Sequence, residues 1–222
     1  MSQDGRSATS EAGDRFGIRP RVGVLALQGS VGEHLAHLRA AGAEAVPVRS
    51  PSVLEGLAGL ILPGGESTAH ERLGRRDGWP EALRAFAAEG GALYGTCAGM
   101  ILLSDGIEPP DPRDPRALGL LPLRVSRNAY GRQVASFEAP LEIPVLGPEP
   151  FPGVFIRAPR VAWVGDGVEV LARHAEEPVL VRRGRLLAGS FHPELTPDLR
   201  LHRLFVEMAM GREGRTPVAR AG

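Results

Sequence analysis

Residues 92–103, ALYGTCAGMILL, contain the turn from which the fold of this chain is predicted. The tract starts as a short apolar run suited to a buried strand and continues as the first turns of a helix. Between the two, Gly95 and Gly99 flank Cys97. A sharp strand-to-helix turn forces its middle residue into a strained backbone conformation, and neighbours without a Cβ leave room for it. We therefore predict that Cys97 projects from the carboxyl end of a strand, in the geometry of a nucleophile elbow.

The sequence before this turn alternates predicted strands with predicted helices. Strands are predicted over residues 22–27, 46–48 and 60–62. One helix is predicted from Ser30 to about Gly42, and another covers residues 81–89. Ser30 and Glu33 have the S-x-x-E spacing of a capping box. Such alternation over short connections is typical of an open parallel sheet covered on both faces.

The sequence after the turn predicts strands that follow one another without helices between them. They cover residues 118–125, 136–143, 154–156, 168–172, 179–181 and 186–190. A hairpin turn is predicted at Arg183-Gly184, and a last helix over residues 198–208. The expected fold class is therefore α/β, with a mostly parallel sheet and added antiparallel strands in the C-terminal half.

Composition limits the classes of function. The 222 residues include 26 basic and 26 acidic side chains, which gives no sign of nucleic acid or an anionic membrane. The single cysteine and the lack of a long apolar span predict a cytoplasmic protein. No spacing typical of metal ligands or of a phosphate loop is present, so no metal and no cofactor are expected. One domain over residues 21–210 is predicted, with disordered tails at 1–20 and 211–222.

His192 is the best candidate for a base that serves a cysteine nucleophile. It follows the apolar run of the predicted strand at residues 186–190, so it is expected at the same edge of the sheet as Cys97. Glu194 lies two residues further on, and in an extended segment its carboxylate points the same way and can orient the imidazole. The residues alone leave two other interpretations open, a buried structural cysteine and an exposed His-Pro-Glu turn.

The other five histidines are given no catalytic role. His34, His37 and His202 fall in predicted helices and are expected at the protein surface. His70 has no obvious partner, and His174 is expected to be solvated.

Several motifs resemble a known family. GTCAG at residues 95–99 together with FHPE at 191–194 resembles class I glutamine amidotransferases of the triad type. Longer motifs resemble, within that group, the glutaminase subunits of pyridoxal 5′-phosphate synthase. These are VLALQG at 24–29, LPGGEST at 62–68, RNAYGRQ at 127–133, VFIRAP at 154–159 and SFHPELT at 190–196. The resemblance extends over about residues 21–210.

The resemblance implies a fold, an activity and a partner. The fold would be a flavodoxin-like three-layer α/β/α domain. The activity would be hydrolysis of L-glutamine to glutamate and ammonia. The ammonia would pass through a tunnel to a (β/α)8-barrel synthase subunit, within a large hetero-oligomer, and that subunit would make pyridoxal 5′-phosphate. The phosphate ester is then a product of the partner and no cofactor of this chain.

The resemblance also implies roles for particular residues. Cys97 matches the nucleophile, His192 its base, and Glu194 the group that orients the base. Backbone N–H groups of Gly65 and Ala98 match the oxyanion hole. The matching substrate contacts are Gly65, Glu66, Ser67, Arg127, Ile156 and Arg157.

Some features depart from the family, and some alternatives remain. The extension through Pro20, Tyr130 in place of a phenylalanine and the proline-rich residues 109–116 differ from the usual pattern, and none of them touches the candidate triad. One alternative is a glutaminase that serves another synthase, such as one making imidazole glycerol phosphate. Two further alternatives are a small-molecule peptidase of related fold and a non-catalytic regulatory subunit. The motifs at 62–68 and 127–133 favour the pyridoxal 5′-phosphate family.

Overall fold

The short apolar runs of the sequence form one central sheet, and the helices pack on its two faces. The computed structural model describes residues 19–65, 78–111, 116–126 and 136–212. Its helices are α1 (Val31–Ala40), α2 (Trp79–Ala88), α3 (Ala98–Leu103) and α4 (Arg200–Ala209). Its strands are β1 (Arg21–Leu25), β2 (Glu44–Val48), β3 (Gly59–Leu62), β4 (Ala92–Thr96), β5 (Gly106–Ile107), β6 (Leu123–Ser126), β7 (Ser136–Leu141), β8 (Phe151–Ile156), β9 (Arg160–Val164), β10 (Glu169–His174), β11 (Glu177–Arg183) and β12 (Leu186–Gly189).

The central sheet has seven strands in the order β10-β11-β12-β4-β3-β1-β2. Strands β1 to β4 and β12 are parallel, whereas β10 and β11 are antiparallel additions at one edge. The parallel part has the strand order 2-1-3-4-5 of flavodoxin-like folds, with β12 as its fifth strand. The predicted α/β class, the flavodoxin-like sheet and the antiparallel additions are confirmed.

Alternating side chains of the parallel strands supply two cores, one on each face of the sheet. In β3, Ile61 packs with residues of α1 and α4, whereas Leu60 and Leu62 pack with residues of α2 and α3. All three side chains are fully buried. Because both faces are covered, the inner strands β3 and β4 are buried at every position, and the carboxyl edge of the sheet is left for polar side chains.

Two smaller sheets adjoin the central one. Strands β5, β6 and β9 form one of them, and the β7–β8 hairpin forms the other. The sequence did not predict β5 or β9, and it made the strand at residues 118–125 too long. Leu118 and Leu120 instead donate backbone hydrogen bonds to the carbonyl groups of Leu102 and Leu103, at the end of α3. These bonds satisfy the last carbonyl groups of the helix, which have no partner within it.

Two local predictions have different outcomes. The predicted hairpin turn is confirmed, because Gly184 has φ of 53° and lies between the paired residues Arg183 and Leu186. The predicted capping box is wrong, because Ser30 is the N-cap of α1 but makes no side-chain capping bond there. The predicted tails lie mostly outside the described residues, so the domain boundaries stay predictions.

Candidate active site

Cys97 lies in a sharp turn between β4 and α3. Its backbone has φ of 50° and ψ of −106°, a region that residues with a Cβ rarely adopt. The flanking glycines are needed for close packing. A Cβ on Gly95 would lie 2.4 Å from the carbonyl carbon of Gly99, and a Cβ on Gly99 would lie 1.9 Å from the backbone oxygen of Leu62. The structure therefore has the predicted elbow geometry.

His192 reaches the same edge of the sheet through the neighbouring strand. Strand β12 pairs in parallel with β4, and the N–H of Cys97 donates to the carbonyl of Gly189 at 2.8 Å. The N–H of His192 donates to the carbonyl of Val154 in β8, also at 2.8 Å. Both side chains meet at the loop after β3. A Cβ placed on Gly64 would lie 2.6 Å from Cε1 of His192 and 3.1 Å from Cβ of Cys97.

Glu194 holds the imidazole from the other side. Its Oε1 lies 2.9 Å from Nδ1 of His192, and its carboxylate is fully buried. The expected extended conformation is wrong, because Pro193–Leu195 form a 3-10 turn that starts with the proline. The turn nevertheless brings the carboxylate back to the ring, so the three side chains are arranged in the order Cys97, His192, Glu194.

The pKa values of His192 and Glu194 are both shifted by the neighbouring groups. Burial opposes a charge on His192, but hydrogen bonds with Cys97 and Glu194 and the negative charges of both raise its pKa to about 10. Burial likewise opposes a charge on Glu194, but its hydrogen bond with His192 keeps its pKa below the ordinary value. At neutral pH the arrangement therefore favours an imidazolium at His192 beside the Glu194 carboxylate.

Of the other predicted site residues, some are described by the structure and some are not. Gly65 is exposed and next to Gln28, since a Cβ on Gly65 would lie 3.1 Å from the Gln28 side-chain nitrogen. Ala98 is buried at the start of α3, directly after the cysteine. Glu66, Ser67 and Arg127 lie outside the described residues.

Ile156 ends β8 beside the cysteine, and Arg157 follows it. The carbonyl oxygen of Ile156 lies 3.9 Å from Sγ of Cys97. Arg157 is exposed and has φ of 46°, a strained conformation for a residue with a side chain. The backbone therefore changes direction at Arg157, directly after β8.

Two histidines predicted at the surface are instead fully buried beside this site. His34 on α1 and His202 on α4 have no exposed surface, so that prediction is wrong for both. Nδ1 of His34 lies 3.0 Å from Nε2 of His202. Nε2 of His34 lies 3.4 Å from Oε2 of Glu194. His37, which is half-buried, packs against the His202 ring.

The sequence contained a signal for this burial. His34 precedes Leu38 by four positions, and His202 precedes Phe205 by three, so each histidine shares a helix face with a core residue. A polar ring in such a position can be buried if it has a hydrogen-bond partner, and His34 and His202 provide one for each other.

Acidification is expected to lower the free energy of unfolding because of these two histidines. Burial lowers the pKa of His34 to about 4 and that of His202 to about 2. The folded protein keeps both rings neutral, whereas the unfolded chain protonates them below about pH 6.5. The unfolded state therefore binds more protons, and each histidine removes up to about 1.4 kcal/mol per pH unit as the pH falls from about 6.5 towards 4. His192 does not offset this loss, because its raised pKa gives a contribution that is already complete below about pH 6.5.

Urea unfolding at pH 7, 6 and 5 measures this slope. His202→Leu removes one of the two titrations and is expected to make the slope shallower by about half. His174→Gln removes a histidine outside the cluster and is the control. Equal slopes for the His202 variant and the wild-type protein would contradict the explanation.

Neither a metal cluster nor a membrane-spanning helix is found in the described part of the chain. No group of three or more His, Cys, Asp or Glu among those residues is arranged to hold a metal ion. None of the described helices is long and apolar enough to cross a membrane.

The fold and the site together define a class, that of flavodoxin-like α/β proteins with a cysteine elbow facing a His–Glu pair. A model of the SNO glutamine amidotransferase family matches residues 24–211, and the chain belongs to this family.

Individual relatives are similar over nearly the same range. A protein of Desulforudis audaxviator named pyridoxal 5′-phosphate synthase subunit PdxT is 54% identical over 187 residues, which are 84% of this chain and 97% of that protein. A protein of the same name from Thermus thermophilus is 55% identical over 195 residues, covering 86% and 99% of the two chains. A crystal structure described as a glutamine amidotransferase superposes with a TM-score of 0.79 at 54% identity and covers 85% of this chain and 98% of its own.

A more distant structure shares the fold alone. A chain in the structure of PurLQS from Thermotoga maritima has a TM-score of 0.65 at 18% identity, covering 88% of this chain and 97% of its own.

Proposed function

We propose that this chain hydrolyses L-glutamine to glutamate and ammonia with Cys97 as nucleophile, and supplies the ammonia to a synthase subunit that makes pyridoxal 5′-phosphate. Membership of a glutamine amidotransferase family supports the substrate, and relatives named as subunits of pyridoxal 5′-phosphate synthase support the destination. The observation that carries the proposal is the elbow cysteine facing the buried His192–Glu194 pair. These names also argue against a subunit of an imidazole glycerol phosphate synthase.

In the first half of the reaction, the Cys97 thiolate attacks the carboxamide carbon of glutamine and forms a carbon–sulfur bond. Backbone N–H groups of Gly65 and Ala98 stabilise the oxyanion, and each such donor typically lowers the barrier by about 3 kcal/mol. When the tetrahedral intermediate collapses, the carbon–nitrogen bond breaks. The His192 imidazolium gives its proton to the nitrogen, so ammonia leaves and a glutamyl thioester remains.

In the second half, the now neutral His192 takes a proton from water. The resulting hydroxide attacks the thioester carbon, the carbon–sulfur bond breaks, and glutamate leaves while the thiolate and imidazolium are restored. Glu194 keeps Nδ1 of His192 protonated and Nε2 directed at the cysteine in both halves. The raised pKa of His192 supports this cycle, because the ring begins it in the charged form.

Glutamine recognition is assigned to residues around the rim. Arg127 and Arg157 have planar guanidinium groups suited to the α-carboxylate of the substrate. Glu66 and Ser67 are proposed to contact its α-amino and carboxamide groups, and Gly65 and Ile156 to present backbone groups. The Ile156 carbonyl oxygen, 3.9 Å from Sγ of Cys97, supports this assignment for Ile156.

The proposed partner is a (β/α)8-barrel synthase subunit in a large hetero-oligomer, in the cytoplasm. Family resemblance supports the barrel and the assembly, and the single cysteine supports a reducing compartment. Because free ammonia is lost to protonation in water, transfer through a closed tunnel would benefit the synthase.

Glutamate release is expected to be strongly stimulated by the barrel subunit of the same organism. Orientation of the Gly64–Gly65 backbone decides whether the oxyanion hole is formed, and a docked partner can fix it. The measurement is steady-state glutamate release from glutamine by the purified chain, alone and with the barrel subunit. Demonstrated binding without glutamate release in either condition would overturn the proposal in favour of a regulatory subunit. A pull-down that recovers a different synthase would overturn only the assigned destination of the ammonia.

A further inference from the structure

Glu194 has one carboxylate oxygen that the proposed reaction does not use. Oε1 bonds to His192, whereas Oε2 is buried and forms no hydrogen bond with the described residues. Buried carboxylate oxygens without a donor are costly, so they normally have one nearby. Nε2 of His34, 3.4 Å away, is the polar atom in position to serve Oε2.

The surrounding groups decide which nitrogen of His34 carries the proton. A carboxylate oxygen only accepts, so the contact with Glu194 is attractive when Nε2 of His34 is protonated. Nδ1 then accepts from Nε2–H of His202, 3.0 Å away. The opposite tautomer would point a lone pair at the carboxylate. It would also place an N–H on Nδ1 of His202, which is buried and has no partner among the described residues.

His34 also contacts the strand that precedes the nucleophile. Its Nε2 lies 3.4 Å from Oγ1 of Thr96, the residue before Cys97. The same Oγ1 accepts the N–H of Gly64 at 3.1 Å, in the loop that leads to Gly65. One imidazole therefore contacts both the carboxylate of the candidate triad and the hydroxyl that holds the loop after β3.

Helix α1 is fixed to the same segment at a second point. Nε2 of His37 donates to the carbonyl of Thr196, directly after the turn that carries Glu194, at 2.8 Å. This bond holds α1 in register with the turn, so the position of His34 relative to Glu194 is determined by the fold.

We propose that His34 is a positioning residue for the glutaminase reaction proposed above, in which its neutral Nε2–H group holds Glu194 while His202 fixes its tautomer. Glu194 thus lies between two imidazoles with different tasks. His192 exchanges protons with the substrate, and His34 stays neutral and keeps the carboxylate in place.

The electrostatic surroundings agree with a neutral ring. Burial lowers the pKa of His34 to about 4, and the attraction of Glu194 does not overcome it. The other titratable groups that act on this ring are His192, His37 and Glu33. A charged His34 would compete with His192 for the same carboxylate.

Two substitutions separate a positioning role from a packing role. His34→Gln keeps a side-chain N–H close to the place of Nε2, whereas His34→Met fills a similar volume without a donor. In the complex with the synthase subunit, His34→Met is expected to lower kcat for glutamate release by about 10-fold to 100-fold, as loss of supporting hydrogen bonds does elsewhere, with KM for glutamine unchanged. His34→Gln is expected to recover most of kcat. Leu35→Ala, a buried apolar position on the same helix, is the control that lowers the melting temperature without lowering kcat in the folded enzyme.

A second readout follows the contact itself. Imidazole nitrogen NMR of the chain is expected to show a lower pKa for His192 in His34→Met and a value close to wild type in His34→Gln. Wild-type kcat and an unchanged His192 pKa in His34→Met would overturn the inference, and so would equal losses in both variants with only the melting temperature changed. If the wild-type complex released no glutamate, the proposed function would fail, while the NMR comparison would still test the contact between His34 and Glu194.

Discussion

Replacement of Cys97 by alanine is expected to reduce glutamate release by at least about a thousandfold, as removal of a nucleophile does in other hydrolytic triads. No other cysteine is present in the chain to take its place. Serine at this position is expected to fail as well, because a hydroxyl is a far weaker acid than a thiol and the proposed reaction starts from an ionised nucleophile. The measurement is kcat/KM for glutamine in the complex with the synthase subunit.

Ammonium supplied from solution provides the control. If only ammonia production is lost, a complex containing Cys97→Ala should still make pyridoxal 5′-phosphate when an ammonium salt replaces glutamine. That result would show that the variant folds and docks. Glutamate release at the wild-type rate by Cys97→Ala would exclude the thioester intermediate.

The sequence predicted the parallel sheet well because its inner strands are buried on both faces. Tracts such as the one around Leu60 and Ile61 are apolar at every position, and the glycines at their ends mark the turns. Strand β9 is not predicted because it is half exposed and, among the described residues, pairs with β6 alone in a small separate sheet. Its pairing depends on a contact distant in sequence, which local pattern does not contain.

The candidate site was predicted in part for a similar reason. Cys97 and His192 each follow an apolar strand, so their place at the sheet edge follows from topology once the two strands are neighbours. His34 and His202 were missed because their burial depends on how α1 and α4 pack together. Only the folded chain shows that the two rings contact each other and that His34 lies next to Glu194. The carboxylate of Glu194 therefore has His192 at one oxygen and His34 at the other.

The geometry of Glu194 shows how a correct pairing can be inferred from an incorrect conformation. An extended segment was expected to point His192 and Glu194 in one direction. The 3-10 turn brings the carboxylate to Nδ1 by another path, and it also turns Oε2 towards α1. The turn therefore places Glu194 in contact with both His192 and His34 of α1.

Gly99→Ala is expected to lower the free energy of unfolding by about 1–3 kcal/mol or more, the usual range for overpacking a core. In an ordinary helix the same change stabilises by about 1 kcal/mol, because glycine is a poor helix former, so the expected sign is opposite to helix propensity. The new Cβ would lie 1.9 Å from the backbone oxygen of Leu62, and no side-chain rotation relieves a clash with backbone. Helix α3 would have to move away from β3, which would also displace Cys97 and the N–H of Ala98.

Gly32→Ala is the matched control, because this glycine lies in α1 and an added Cβ would meet no atom within 4 Å. It is expected to raise the free energy of unfolding by up to about 1 kcal/mol, as helix propensity alone predicts. Urea unfolding of both variants, with glutamate release measured in the complex, checks the pair. If Gly99→Ala had the same free energy of unfolding as Gly32→Ala, the contact between Gly99 and β3 would not be close enough to exclude a side chain. The strained backbone of Cys97 would then need another cause. If Gly99→Ala is destabilised and inactive while Gly32→Ala is neither, the close contact of α3 with β3 is what holds the nucleophile in place.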